Sequence, residues 1–192
     1  MQYSLPIQLK CYEQLKEHVS ALLSDYNTDD HHVVVLPITP ELDNIFSEEM
    51  QSYGLTPRNG WLAFKKKNYF NKKSINPICH IDYTDSTGSE ICNVSLIIPL
   101  ENTNDAPMIW YTGEYDIVHV DMGSYSFATA DWKNEGEVPT HKTDITQPTF
   151  CRVHIPHDTW SNEDGSYRSV VTVRFHGNPT FEEIAEKISN NS

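Results

Sequence analysis

The chain has 192 residues, 38% of them hydrophobic and 11% aromatic, which suits one domain with a substantial core and is short for two. No run reaches the roughly 18 consecutive apolar residues of a membrane span, and Met1-Gln2-Tyr3-Ser4-Leu5-Pro6 lacks the basic and apolar regions of a secretory signal, so a cytoplasmic protein without a membrane partner is expected. The formal charge of −13 repels phosphate backbones and argues against nucleic acid as a general partner.

In chain order, Leu9, Tyr12, Leu15, Val19 and Leu22 recur at helical spacing and predict an amphipathic helix over residues 8–24. Val33 to Leu36 is a β-branched run closed by Pro37, a short buried strand. Thr39 offers an N-cap and Pro40 a first helical residue; Leu42, Ile45, Phe46, Met50 and Tyr53 carry the helix to Gly54, which can end it in a left-handed cap. His31-His32 between these elements reads as a solvated turn. Residues 1–58 thus form a helical and strand support.

From Trp61 the texture changes to short strands: Trp61–Lys65, Ile78–Tyr83, Ile91–Leu100, Met108–Tyr111, Ile117–Val120, Cys151–Ile155 and Arg168–Phe175. Turn signals between them come at the intervals of a β-sandwich or jelly roll. Residues 121–148 are polar and weakly patterned and read as a long loop insert, of the kind that often serves as a functional lid. Thr180 and Glu183 form a capping box for a final helix within residues 177–192. The fold expected is mostly β with flanking helices, a single domain whose core spans residues 59–176.

Cys11, Cys79, Cys92 and Cys151 lie far apart with no CxxC pair, which predicts buried or half-buried thiols in a reducing compartment. Arg58, Lys65, Lys66, Lys67, Lys72 and Lys73 gather six of the fourteen cations into one stretch. Such a run is ordinarily a solvated face; otherwise it attracts an anionic substrate or partner.

His80-Ile81-Asp82 carries the chemistry. Alternate residues of a strand share a face, so the imidazole and the carboxylate project together while Ile81 packs. They can take adjacent positions on a metal, and one further His from a distant strand would complete a face of an octahedron. That two-His, one-carboxylate set suits Fe(II) and leaves three positions open. Alone, the triplet is more often a surface His and Asp on an edge strand.

Further segments supply context: Val94-Ser95-Leu96-Ile97-Ile98-Pro99-Leu100, Trp110-Tyr111, Pro156-His157-Asp158-Thr159-Trp160, and Tyr167-Arg168-Ser169-Val170-Val171-Thr172-Val173-Arg174-Phe175. With Ile78-Cys79-His80-Ile81-Asp82 they resemble, in order and spacing, the compact viral and bacterial members of the 2-oxoglutarate/Fe(II)-dependent dioxygenases. The resemblance covers about residues 60 to 176. It implies a double-stranded β-helix (jelly-roll) core, with Fe(II) held by His80, Asp82 and His157. It also implies that Arg168 binds the distal carboxylate of the co-substrate 2-oxoglutarate, with Thr172, Asn93 and Tyr111 as further co-substrate contacts. Tyr167 stands where the pattern has Pro, and Asn162 lies further from His157 than the expected Asn, which leaves the turn before Arg168 open. Because Asp82 is present, the resemblance implies hydroxylation rather than halogenation, on a small molecule or a protein side chain.

Competing candidates remain. His119-Val120-Asp121 is a second HxD, but it lies close to His157 in sequence for the strands that must thread between. His154 and His157 face opposite ways on a strand. Arg174 is the alternative co-substrate anchor: it shares a strand face with Arg168, yet lies about 20 Å further along it, and its replacement is expected to act mainly on stability. Rival readings are a non-catalytic jelly-roll binding or virion-associated module, and a cupin-like metalloenzyme, which would want a richer His cluster with a Glu.

Overall fold

A computed structural model of the chain describes residues 1–24, 32–36, 40–58, 61–66, 79–85, 88–104, 106–121, 126–133, 138–159 and 168–191. In chain order the elements are β1 (Ser4–Pro6), α1 (Tyr12–Ser24), β2 (His32–Leu36), α2 (Pro40–Ser52), β3 (Trp61–Lys66), β4 (His80–Ile81), β5 (Val94–Glu101) and β6 (Met108–Thr112). There follow β7 (Tyr115–Asp121), β8 (Ser126–Trp132), β9 (Val138–Thr143), β10 (Thr149–Arg152), β11 (His157–Thr159), β12 (Arg168–Val173) and α3 (Phe181–Ser189). The protein is mostly β. Two six-stranded antiparallel sheets have the orders β1-β10-β5-β12-β3-β2 and β7-β8-β4-β11-β6-β9.

The first sheet separates two cores. On one face the helices cover Val94, Leu96, Ile98, Leu100, Val171 and Val173 with Leu15, Val19, Phe46, Met50 and Ile184. On the other, Ile97, Cys151, Val153 and Val170 meet Met108 and Trp110 of the second sheet. β5 is buried on both faces, which is why it reads as a continuous apolar run. Helix ends follow the expected chemistry. Thr180 and Glu183 complete both arms of the capping box. Gly54 adopts φ +66° after α2, with the Leu55 N–H donating to the Met50 carbonyl at 3.0 Å, a Schellman ending. Pro40 opens α2; Thr39 lies outside the described residues.

Three expectations are corrected. The first helix begins at Tyr12, because the preceding residues are drawn into the sheet: β1 pairs with β10, and the Ile7 N–H donates to the Pro148 carbonyl at 2.9 Å. His32 starts β2 rather than lying in a turn. Residues 121–148 are not a loop insert: they hold β8, which forms a hairpin with β7, and β9, which pairs with β6. Their signal was masked for two reasons. β8 carries Ala128 and Ala130 where a strand usually carries branched residues. β9 is an exposed edge strand, polar and interrupted by Pro139, as edges commonly are. Among the described residues, no helix is long and apolar enough to cross a membrane.

Candidate metal centre

The short strand β4 lies between β8 and β11, and its register places His80 directly opposite His157. Asp82 follows at the strand's end, where its N–H donates to the Val153 carbonyl at 3.0 Å and its own carbonyl accepts from the Cys92 N–H at 2.8 Å. These bonds fix the backbone on both sides of the carboxylate. One ligand atom from each of His80, Asp82 and His157 lies within 4.8 Å of the others, and no other such group occurs among the described residues. His80 Nε2 is 3.7 Å from Asp82 Oδ1, and the two imidazole rings are 4.3 Å apart between centroids. A first-row ion at about 2.0–2.2 Å from each donor holds neighbouring donors roughly 3 Å apart, a small side-chain contraction from this arrangement.

The local electrostatics prepare the donors. His157 is buried, and burial pushes its pKa down to about 4, with the neighbouring His80 adding to the effect and Asp82 opposing it. Its Nδ1–H donates to the Ile155 carbonyl at 2.9 Å, so Nε2 keeps its lone pair for a metal. Burial works to raise the Asp82 pKa, but Arg174, His157 and His80 together hold the carboxyl below its usual value. The donor set is that of a two-His, one-carboxylate site, suited to Fe(II) and to other divalent first-row ions.

Arg174 is where the sequence reading fails. It is not remote from the candidate metal group: its Nη2 lies 3.8 Å from Asp82 Oδ2, so it flanks a candidate ligand. Strand rise separates backbone positions, whereas the long Arg174 side chain reaches across to the facing sheet. Arg168, Val170 and Thr172 alternate along β12 on the face opposite Val171 and Val173, which pack under the helices, and Arg174 follows just past the strand's end. Arg168 Nε, Thr172 Oγ1 and Arg174 Nε are enclosed by protein with no hydrogen-bond partner. Burial lowers the Arg168 pKa to about 10, which leaves it cationic at neutral pH; Cys151 and Asp158 act in the opposite sense.

The remaining candidates have other surroundings. The Asn93 side-chain N–H donates to the Asn178 carbonyl, and the Asn93 backbone N–H to the Asn178 side chain, each at 2.9 Å, which ties Asn93 to the turn before α3. Tyr111 is buried with Cys79 and Ile109. His119 does not join the metal group: its ring lies 5.5 Å from that of Tyr83, with Nδ1 3.3 Å from the phenol oxygen. His154 Nδ1 hydrogen-bonds the Asn93 carbonyl at 3.0 Å. All four cysteines are buried free thiols. Of the basic run, Lys67, Lys72 and Lys73 lie outside the described residues, as do Tyr167 and Asn162. No protein-family model matches the chain, and no curated protein matches it.

Proposed function

We infer that the protein is an Fe(II)- and 2-oxoglutarate-dependent dioxygenase on a jelly-roll core. Numbering β3, β4, β5, β6, β9, β10, β11 and β12 as core strands one to eight, the sheets read six-three-eight-one and two-seven-four-five. That alternation between sheets supports reading the core as the double Greek key of a jelly roll. β1 and β2 then extend the edges of the first sheet, and the β7–β8 hairpin is inserted after the fourth core strand.

The observation that carries the reading is the pairing of a metal-competent triad with a β12 face bearing enclosed donors that lack acceptors. A barrel with a purely structural role has no use for such groups, which cost stability until something accepts from them. An acid with two carboxylates, bound to the metal at one end, would answer the donors at the other. His80, Asp82 and His157 would hold the iron. Arg174 orients the Asp82 carboxylate from its outer oxygen, and the Ile155 carbonyl fixes the His157 tautomer. Arg168 would form a charge-assisted, planar pair with the distal carboxylate, with the Thr172 hydroxyl beside it. When bound, iron and co-substrate together supply oxygen activation, with 2-oxoglutarate converted to succinate and CO2 as the substrate is hydroxylated. The acidic surface favours a small molecule or protein side chain over nucleic acid as that substrate.

The test is succinate formation from 2-oxoglutarate by the purified protein with Fe(II) and O2. Formation that requires both and is lost in Asp82→Ala supports the reading. Metal binding with no consumption of 2-oxoglutarate, across a broad panel of candidate substrates, would favour the non-catalytic jelly-roll module.

A further inference from the structure

A further group of unanswered donors, sharing Arg174 with the first, lies beside the candidate metal centre. Pro57 and Phe175 form an antiparallel bridge, with the Arg58 N–H donating to the Arg174 carbonyl and the His176 N–H to the Thr56 carbonyl, both at 2.8 Å. In that register Arg58 stands opposite Arg174, and the two side chains leave the same face. Like charges directly opposed across strands are destabilising. Each guanidinium has a carboxylate nearby, but neither pair is close: Arg174 Nη2 is 3.8 Å from Asp82 Oδ2, and Arg58 Nη1 is 3.8 Å from Asp85 Oδ2. A charge-assisted hydrogen bond would be about 2.7–2.9 Å.

Arg58 Nη1 also reaches the Thr84 carbonyl at 3.4 Å, so the two arginines contact Asp82 and Thr84, alternate residues of one segment. Three donors here have no hydrogen-bond partner and no solvent contact: Arg58 Nε, Arg174 Nε and the Thr84 hydroxyl. Thr84 is 4% exposed. The group opens outward at Arg58, whose side chain is 27% exposed against 15% for Arg174. Opposed residues of an antiparallel pair sit about 5.5 Å apart at Cα, a span that one carboxylate or phosphate group can bridge.

We propose that Arg58, Arg174 and Thr84 form an anion subsite that receives a carboxylate or phosphate group of the primary substrate. The substrate is then an organic acid or a phosphate ester. Calling the ligand a substrate rests on the dioxygenase reading; the anion subsite itself does not. Arg58 thereby separates from the solvated basic run in which its sequence places it.

The test uses the metal-free, nitrogen-15-labelled full chain, following arginine Nε–H resonances by NMR while acetate or inorganic phosphate is added. Resonances of Arg58 and Arg174, assigned from Arg58→Gln and Arg174→Gln, should shift together and saturate with at least one of the two anions. The preferred anion identifies the acid group. Arg58→Gln should weaken that binding by about 10-fold or more, and Thr84→Val, which removes the hydroxyl at similar volume, by several fold. Should Arg58→Gln fail to fold, the wild-type titration and Thr84→Val decide the matter. No saturable shift at Arg58 and Arg174, or undiminished binding in the folded variants, would overturn the proposal. Saturable binding in a protein that never turns over 2-oxoglutarate would count against the dioxygenase reading and leave the subsite standing.

Discussion

His157 stands directly opposite His80 across the β4–β11 pair, and that one register contact brings together two candidate metal ligands from distant parts of the chain. The rings approach to 4.3 Å between centroids without charge repulsion, because burial holds His157 neutral, with a pKa near 4.

The neutral His157 makes the metal-free protein acid-sensitive. Between the ordinary histidine value of 6.5 and about 4, the unfolded chain binds a proton at this ring that the folded chain does not. Stability is therefore full above that window and falls as pH drops through it, by at most about 3 kcal/mol. Asp82, held below its usual value, loses its own contribution only at lower pH. Urea unfolding at pH 7 and pH 4.5 should show this fall in wild type and a smaller one in His157→Gln. Equal falls in both would remove His157 as the cause.

Much of this was legible in the sequence. The HxD alternation, the buried thiols and the Thr180 capping box follow from local rules, whereas His157 entered through the family resemblance; the structure groups it with His80 and Asp82. What escaped depends on tertiary pairing. β8 carries alanines and β9 is a polar edge, so neither has a strand's apolar alternation. Arg174 was misplaced because strand rise fixes where a Cα sits, not how far a long side chain reaches toward a facing sheet. Arg58 was read with its lysine neighbours because nothing local reveals that it stands opposite Arg174.

The β7–β8 hairpin directly supports β4, the strand that carries His80. β8 pairs with β4, Thr129 stands opposite His80, and the Thr129 hydroxyl donates to the Cys79 carbonyl at 2.8 Å. Replacing residues 115–132 by a short Gly-Ser linker should therefore weaken Co(II) binding by at least about 10-fold, as well as lowering the melting temperature. Unchanged Co(II) affinity would make the hairpin a peripheral flap. Thr129→Val should cost about 1 kcal/mol in urea unfolding, the net worth of one hydrogen bond.

Asn93 offers a sharper distinction. Its paired bonds to Asn178 join the start of β5 to the lead-in of α3. Asn93→Ala should lower stability by about 1 kcal/mol while leaving 2-oxoglutarate affinity within about twofold. A large loss of co-substrate affinity at unchanged stability would instead put its side chain in the pocket.

Anaerobic calorimetric titration of 2-oxoglutarate into the Fe(II)-loaded protein, beside Arg168→Met and Arg174→Met, decides whether the protein takes this co-substrate and which arginine anchors it. Wild type should bind one equivalent, only when metal is present. Arg168→Met should keep its metal and lose about 2–4 kcal/mol of 2-oxoglutarate binding, tens to hundreds of fold. Arg174→Met should instead weaken metal affinity, because it removes the cation that steadies Asp82. Absence of 2-oxoglutarate binding in the metal-loaded wild type, or an unaltered titration in Arg168→Met, would contradict the assignment.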